Sequence, residues 1–257
     1  MSSIHKAAST GYATAAQTYV TGRPDYPPQC DTWLRETVGL GHGKTVLDLG
    51  AGTGKFLPYL RRTGARVLAV EPVDQMRTRI AQENPDVQAL AGTASAIPLP
   101  DAALDAVVCA QSFHWFATTE AVAEIRRVLA PSGVLGLIWN VRDETVPWVA
   151  ALSALTDPLE GGAPRYRTGQ WRRALVTDGL SFLGEQHARN THVGTPEQVI
   201  VDRTLSVSFI AALPSDGKAD VARRVRALIA ATPELARTQE VAFPYDTAMF
   251  AYRKVGG

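Results

Sequence analysis

The chain has 257 residues, of which 46% are hydrophobic, and its 26 Lys and Arg nearly balance its 25 Asp and Glu to a net charge of +1. This size allows one large α/β domain with a substantial core, and the charge balance gives no general attraction to nucleic acid or to a membrane. No apolar run approaches the roughly 18 residues of a transmembrane helix, and residues 1–11 lack the apolar region of a signal peptide. We therefore expect a soluble, cytoplasmic protein with a small-molecule partner, and the sequence indicates no oligomeric state.

The chain begins with an arm and a first helix. Residues 19–28 read YVTGRPDYPP, and the prolines set a rigid entry into a helix predicted over residues 29–38. Trp33, Leu34 and Val38 share one face of that helix, which indicates that the face is buried. From the residues alone, the arm is an ordinary surface segment that leads into a helix.

The next stretch predicts one βαβ unit. An apolar run that carries one acid breaks into a turn of sequence GAGTG, and a helical segment and a second apolar run follow. Another glycine closes the helix, as a C-terminal glycine should. The predicted segments are a strand at 45–49, the glycine turn at 50–54, a helix at 55–62 and a strand at 66–70 that ends on Glu71 and Pro72.

The chemistry around the glycine turn favours a cationic ligand. A dinucleotide fingerprint spaces its glycines as G-x-G-x-x-G, whereas this turn has G-x-G-x-G with Asp48 two residues before Gly50. A carboxylate there would repel a pyrophosphate but would stabilise an ammonium or sulfonium group. Glu71, at the end of the next strand, is placed to accept hydrogen bonds from two ribose hydroxyls. A nucleoside with a positively charged tail and no phosphate describes S-adenosylmethionine.

Two more strands lead to a second candidate loop. We expect Asp74 to cap a helix that runs to about Glu83, and a third strand at 87–90 ends near Thr93. The fourth strand, at 104–110, is almost continuously apolar, as a strand covered on both faces should be. It opens onto a loop at the carboxyl ends of the strands, where ligands bind in open α/β sheets. That loop contains Gln111, Ser112, Phe113, His114, Trp115 and Phe116.

His114 is the candidate catalytic residue of this loop. If the bound S-adenosylmethionine donates its methyl group to a second molecule, the acceptor, His114 could act as a general base that removes a proton from that acceptor. It could also only contact the acceptor. A solitary loop histidine is also often only a structural hydrogen-bonding group. The aromatic residues either pack in the core or line the acceptor site, where Phe113, Trp115 and Trp139 could stabilise a cation formed on an electron-rich acceptor.

The second half of the chain predicts a lid and two last strands. A helix at 118–129 and a fifth strand at 134–139 are followed by Asn140, Arg142 and Asp143, which are either substrate residues or a polar loop. The segment RYRTGQWRR at 165–173 alternates cations with aromatics. It could bind single-stranded nucleic acid, clamp an anionic small molecule, or form a solvated helix face with Trp171 buried. Further predictions are helices at 147–159, from 195 and at 216–231, an edge strand at 182–193 and a last strand at 241–254.

Cysteines and histidines predict neither a disulfide nor a metal site. The two cysteines fall in a predicted helix and a predicted buried strand, which favours a reducing compartment. The histidines show no zinc-type spacing with cysteines or acids. The cysteines are Cys30 and Cys109, and the histidines are His5, His42, His114, His187 and His192.

Four segments occur in the order and spacing of a known family. They are VLDLGAGTG at 46–54, VEP at 70–72, IPLPD at 97–101 and RVLAPSG at 127–133. Together they resemble the motifs of class I S-adenosylmethionine-dependent methyltransferases of the type 11 domain group. The resemblance implies a doubly wound, mostly parallel, seven-stranded Rossmann-like sheet with helices on both faces. It also implies an antiparallel last strand and a helical lid after the fifth strand that sets substrate choice.

The same resemblance assigns roles to individual residues. Tyr19 and Arg23 would reach the methionine carboxylate, for which an Arg fork is the natural partner. Met76 would lie under the adenine or in the core, and Thr93 stands where many relatives carry an acid that contacts the adenine. The cofactor-binding candidates are Tyr19, Arg23, Asp48, Gly50, Ala51, Gly52, Glu71, Pro72, Met76, Thr93, Ala94, Gln111 and Ser112. The substrate candidates are Phe113, Trp115, Trp139, Asn140, Arg142 and Tyr166.

We therefore predict a single methyltransferase domain. Its parts are an arm and helix at 1–38, a cofactor-binding core at 39–143, a lid and substrate region at 144–240 and a final strand at 241–257. It would transfer the methyl group of S-adenosyl-L-methionine to O, N or C of a small molecule and release S-adenosyl-L-homocysteine, with no nucleic-acid or membrane partner.

Two other hypotheses remain. A methyltransferase acting on RNA or protein would show a contiguous basic face around residues 165–173. A cofactor-binding protein without methyl transfer would bind the cofactor tightly and yield no demethylated product.

Overall fold

A computed structural model describes residues 23–177 and 179–256, so the predicted role of Tyr19 lies outside the described residues. Its sheet has seven strands in the order β3-β2-β1-β4-β5-β7-β6. The first five strands are parallel, and β7 runs antiparallel to both β5 and β6. The strands are β1 (Thr45–Leu49), β2 (Arg66–Val70), β3 (Gln88–Leu90), β4 (Leu104–Ala110), β5 (Leu129–Arg142), β6 (Leu180–Gly194) and β7 (Val241–Lys254). The predicted doubly wound, mostly parallel sheet is confirmed.

Helices cover both faces of the sheet. The α-helices are α1 (Gln29–Glu36), α2 (Leu57–Arg61), α3 (Asp74–Glu83), α4 (Thr119–Val128), α5 (Pro147–Thr156), α6 (Arg203–Leu205), α7 (Ser208–Ala211), α8 (Ser215–Ala231) and α9 (Pro233–Ala236). Short 3₁₀ turns occupy Phe113–Trp115, Asp157–Leu159, Tyr166–Thr168 and Gln170–Leu175, and a π-helix spans Glu197–Asp202. In the described ranges, no helix is long and apolar enough to cross a membrane.

The two main core layers follow from the alternation of side chains along the strands. In β1, Val46 packs on one face with α1 and α2, whereas Leu47 and Leu49 pack on the other face with α4. The central strands are therefore apolar on both sides, as strands between two helical layers must be. Asp48 lies on the same side as Val46 and is the exception in this pattern.

A third cluster builds the lid. Apolar residues of α5, of the π-helix, of α8 and of the start of β7 pack together, including Trp148, Ile200, Val225 and Phe243. Since Tyr245 of β7 pairs with Arg142 of β5, this cluster lies at the carboxyl end of β5. Helices before β6 and helices after β6 thus form the lid together.

Several local predictions need correction. Asp74 does not cap α3, because it is already helical and bonds to Arg77 of its own helix. Strand β5 begins at Leu129, five residues before the predicted start, since the chain pairs with β4 directly after α4. Residues 165–173 form two short 3₁₀ turns rather than a helix face, although Trp171 is buried as expected.

Candidate active site

A cavity of about 660 Å³ lies at the carboxyl ends of the parallel strands. Its wall includes the last residues of β1, β2 and β4, namely Leu49, Val70 and Ala110. Among the described candidates for cofactor binding, only Asp48 is missing from the wall. The predicted residues that line it are Arg23, Gly50, Ala51, Gly52, Glu71, Pro72, Met76, Thr93, Ala94, Gln111 and Ser112.

The glycine turn needs its glycines for backbone and packing reasons. Gly50 has φ 71°, and a side chain there would place a Cβ 2.9 Å from the Cβ of Ser112. Gly52 has φ 58° but faces open space, because a Cβ at this position would have no neighbouring atom within 4 Å. The Ser112 hydroxyl donates a hydrogen bond to the Leu49 carbonyl at 2.7 Å. The turn is therefore held from below and open toward the cavity.

Glu71 is fixed by backbone groups of two segments. Its Oε2 accepts a hydrogen bond from the Gly52 N–H at 2.9 Å, and its Oε1 accepts one from the Val73 N–H at 3.0 Å. Burial raises the pKa of this carboxyl, while the two backbone donors oppose the rise. A carboxylate oxygen can accept more than one hydrogen bond. Both oxygens of Glu71 can thus still receive hydroxyl donors from a ligand in the cavity.

Asp48 lies beneath the turn and does not line the cavity. The residue is 1% exposed, and neither carboxyl oxygen has a hydrogen-bond partner among the described residues. Burial, and then the neighbouring Glu71, raise the pKa of Asp48 to about 8. A buried acid without a partner is costly, and a nearby cation would stabilise its charged form. Asp48 would therefore act on the cofactor by its charge rather than by the predicted direct contact. The site still fits a ligand with a positive tail.

His114 has a geometry that does not suit a general base. Its Nδ1 accepts a hydrogen bond from the indole N–H of Trp139 at 3.0 Å. An indole can only donate, so Nδ1 carries no proton and the neutral ring carries its proton on Nε2. Burial, and then the charges of Arg165 and Arg23, lower the pKa of His114 to about 3. His114 is also absent from the cavity lining, so the structure supports neither the base role nor the predicted substrate contact.

The substrate candidates divide into two groups. Trp115 and Asn140 line the cavity. Phe113 and Trp139 do not, because they are 0% and 1% exposed and pack in the core. Tyr166 also stays outside the wall, with its ring 5.0 Å from Trp139. These three aromatics form a cluster with Trp171 outside the cavity wall, which corrects their predicted contact with the acceptor.

Arg142 lies behind the wall as well. Its Nη1 approaches the Thr156 hydroxyl at 3.4 Å, at the base of the lid. It is half-buried at the end of β5 and is absent from the cavity lining. Any effect of Arg142 on a ligand in this cavity is thus carried by its charge.

The described end of the arm, residues 23–28, contributes to the cavity wall and is held by distant residues. Tyr26 and Arg23 line the cavity. The carbonyl of Asp25 accepts hydrogen bonds from the side-chain amides of Asn140 at 3.1 Å and Asn190 at 2.6 Å. Sequence reasoning missed the lining residues Tyr26, Lys55 and Arg203, and it missed Asn190, which binds the Asp25 carbonyl. For Arg203 the sequence offers no signal, because only the folded lid brings it near residue 23.

Comparison with known proteins gives consistent results. A family described as "Methyltransferase domain" matches residues 47–137. The chain is 34% identical to an uncharacterized methyltransferase-like protein of Schizosaccharomyces pombe, over 95% of each chain. It is 35% identical to an uncharacterized methyltransferase of Mycobacterium tuberculosis, over 93% of each chain. Its fold is similar to that of a geranyl diphosphate methyltransferase in complex with SAM, with a TM-score of 0.51, 16% identity, and coverage of 88% of this chain and 84% of that one.

Proposed function

Since the chain belongs to the class I S-adenosylmethionine-dependent methyltransferases, we propose that it transfers a methyl group to a small-molecule acceptor. One observation carries the proposal beyond the family. The cavity beside the glycine turn has about 660 Å³, and its lining combines the turn with Arg23, Pro24 and Tyr26 before the first helix and Arg203 of the lid. A concave site of this size is typical of small-ligand binding. It suits a nucleoside and a small acceptor better than a segment of a macromolecule.

The residues around the turn would hold the cofactor at its ribose and its charged tail. Glu71 would accept hydrogen bonds from ribose hydroxyls, and Gly52 would let the ligand approach the backbone closely. Asp48 would stabilise the positive tail from beneath the turn, and Arg23 would bind a carboxylate. When bound, S-adenosylmethionine supplies a methyl group on a positively charged sulfur.

The chain's own contribution to the reaction is mainly placement. Trp115, Phe116 and Tyr26 line the cavity with aromatic surface and limit access of water. Holding two reactants in the correct orientation can lower a barrier by roughly 7 to 11 kcal/mol without a catalytic side chain. His114 does not line the cavity, so we expect it to hold the Trp139 indole rather than to remove a proton from the acceptor.

Charge pairing around residues 165–173 speaks against an RNA acceptor. Arg167 pairs with Glu160 at 2.8 Å, and Arg172 pairs with Glu185 at 3.5 Å. The Arg172 guanidinium also lies 4.6 Å from the Trp171 ring centre. Arginines engaged in this way offer less charge to phosphates, so the segment is poorly suited to the basic face that RNA binding requires.

The proposal can be tested with methyl-labelled S-adenosylmethionine. The protein would be incubated separately with the deproteinised small-molecule fraction of a cell extract, with total RNA and with extract protein. We expect label only in the small-molecule fraction, with S-adenosylhomocysteine formed in equal amount, and the Glu71→Ala variant should need more cofactor for the same rate. Label in RNA or protein would contradict the proposal, and so would tight cofactor binding without transfer to any fraction.

A further inference from the structure

Four arginines gather on the lid side of the cavity, and we call them the arginine group: Arg23, Arg142, Arg165 and Arg203. Arg23 and Arg203 line the cavity. Arg23 Nη2 lies 3.5 Å from the carbonyl of Ser206, just after the lid helix α6 that begins at Arg203. Arg142 ends β5, and Arg165 lies over the Phe209 ring at 5.0 Å, next to the same helix. Residues 23, 142, 165 and 203 are thus far apart in the chain but adjacent in the fold.

Their charges act on one another. Burial lowers the pKa of Arg142 to about 10; the charges of Arg203 and Arg165 add to this effect, and Tyr245 and Asp157 oppose it. Burial also lowers the pKa of Arg165, which Glu160 opposes and which Arg203 and Arg23 reinforce. Arginines placed together in this way repel, and partial burial weakens the screening by water. A bound anion would therefore stabilise the arginine group.

Acids of the chain compensate only part of this charge. Glu160 lies 3.5 Å from Arg165 Nε but is closer, at 2.8 Å, to Arg167 Nη2. Among the described residues that line the cavity, Glu71 is the only acid, and it lies on the sheet side, directly after β2. Residues 1–22 contain no Asp or Glu, so that segment supplies no side-chain carboxylate. The described residues that line the cavity thus include three cations, Arg23, Lys55 and Arg203, and one acid.

One anionic group of the cofactor does not account for four arginines. A carboxylate takes one bidentate Arg fork, and Arg23 is the candidate for that role. Arg203 lines the same cavity from the lid, the region in which we expect the acceptor to bind. Arg142 and Arg165 stand behind it and strengthen its field.

Resting on the proposed function, we infer that the acceptor is an oxyanionic small molecule. Arg203 binds its carboxylate or phosphate group directly, and Arg165 and Arg142 complete the positive site. Arg203, Arg165 and Arg142 then determine which acceptors are used, while the glycine turn and Glu71 bind a cofactor that is the same for all of them.

A fractionated extract tests the class of acceptor. Small molecules from a deproteinised extract are separated by anion exchange into a retained anionic pool and a flow-through, and each pool is assayed with labelled S-adenosylmethionine. We expect the acceptor in the anionic pool. Transfer only in the flow-through would overturn this inference and leave the proposed function intact. Transfer only to RNA or protein would overturn both.

Treatment with a phosphatase distinguishes a phosphate acceptor from a carboxylate acceptor. Pretreatment of the anionic pool with alkaline phosphatase destroys a phosphate monoester acceptor and leaves a carboxylate acceptor unchanged. Loss of transfer assigns a phosphate, whereas undiminished transfer assigns a carboxylate or another oxyanion that resists the enzyme.

Arginine variants test the residues themselves, with the acceptor-containing pool as substrate. Arg203→Met should raise the acceptor KM at least about tenfold, because a charge-assisted hydrogen bond is lost. The acceptor KM of Arg203→Lys should lie between those of Arg203→Met and the parent. The cofactor Kd of each variant should stay within about twofold of the parent value. Arg224→Met, an exposed arginine on α8, is the matched control and should change neither value.

Two results would overturn the role of the arginine group. One is an unchanged acceptor KM in both Arg203→Met and Arg165→Gln. The other is a loss of cofactor affinity as large as the rise in acceptor KM, which would assign the group to the cofactor. Arg165→Gln keeps the experiment decisive if Arg203→Met folds poorly, because Arg165 is partly exposed and its loss is easier to accommodate.

Discussion

The two sides of the cavity differ in charge and in the way the chain builds them. On the sheet side, Asp48 and Glu71 are buried acids, both next to the glycine turn and formed within the same 25 residues. On the lid side, the arginine group collects residues that are up to 180 positions apart, from Arg23 to Arg203. In both places burial disfavours the charged form, which raises the pKa of the acids and lowers that of Arg142 and Arg165. Each side is therefore prepared for a ligand group of opposite charge.

Of the variants that test this comparison, Gly50→Ala should have the largest effect on stability. It changes the glycine turn on the sheet side and leaves the lid side unchanged. A left-handed φ costs roughly 1 to 2 kcal/mol for a residue with a side chain, and the added carbon would lie 2.9 Å from Ser112 Cβ. We expect a loss of about 3 kcal/mol in the free energy of unfolding, measured in urea. Gly52→Ala is the control, since it has the same backbone strain and open space, and should lose about 1 to 2 kcal/mol. Equal losses in the two variants would show that the contact with Ser112 is unimportant.

Glu71→Ala should have the next largest effect, which is a loss of cofactor affinity. If the carboxylate holds the ribose, its removal should weaken cofactor affinity by about 2 kcal/mol, since hydrogen bonds to charged groups contribute about 1.5 to 3. Calorimetric titration with S-adenosylmethionine measures this, and the exposed Glu36→Ala variant should bind like the parent. Unchanged affinity in Glu71→Ala would reject the role of Glu71, and with it the assignment of the sheet side to the cofactor.

The pH dependence of binding tests Asp48. Its pKa is raised from 3.8 to about 8, so between these values the folded protein keeps a proton that the unfolded chain has lost. This contribution to stability is complete below about pH 4 and is lost as the pH rises through about 8. A cationic ligand favours the ionised form, so cofactor affinity should increase between pH 6 and pH 8, by at most about tenfold per pH unit.

Asp48→Asn provides the control for that measurement. The side chain of the variant at position 48 cannot ionise. In calorimetry at pH 6, 7 and 8, its cofactor affinity should therefore rise less with pH than that of the parent. Without cofactor, the free energy of unfolding of the variant should fall less than that of the parent over the same range. An identical slope in both proteins would mean that the positive tail of the ligand does not sense Asp48.

Trp139→Phe acts behind the cavity wall and should have the smallest effect on ligand binding. It removes the hydrogen bond to His114 Nδ1 and part of a fully buried ring, so we expect a loss of about 2 to 3 kcal/mol in the free energy of unfolding. In the parent, the His114 ring should remain neutral from pH 5 to pH 8 in NMR titration, because its pKa lies at about 3. A His114 titration near pH 6.5 in the parent would restore the base hypothesis.

Sequence could predict the sheet side because its geometry is local. A glycine turn after one strand and an acid at the end of the next are brought together by any right-handed βαβ unit, so Gly50, Gly52 and Glu71 follow from spacing alone. The loop of Gln111 and Ser112 falls at the same edge for the same reason. Spacing could not tell which neighbours face the cavity, and Phe113 turns into the core while Trp115 lines the wall.

The lid side could not be predicted in the same way. Apolar periodicity shows which helix face is buried but not which distant element it meets, so Arg203 gave no sign of its approach to Arg23. The contact of Asn190 with the Asp25 carbonyl depends on the register of β6 against β7, which no local pattern specifies. The tautomer of His114 likewise depends on Trp139, which is 25 residues away on β5.

The position of β7 between β5 and β6 affects how the protein is made. Strand β6 has β7 as its sheet neighbour, and β7 is translated after the six strands β1 to β6. On the ribosome, residues 180–194 must therefore wait for some 50 further residues before their backbone can pair, with the apolar side chains of Phe182 and Val193 exposed. Unpaired strands of this kind associate readily with other chains. Folding yield should thus depend on how quickly the last strand emerges and inserts.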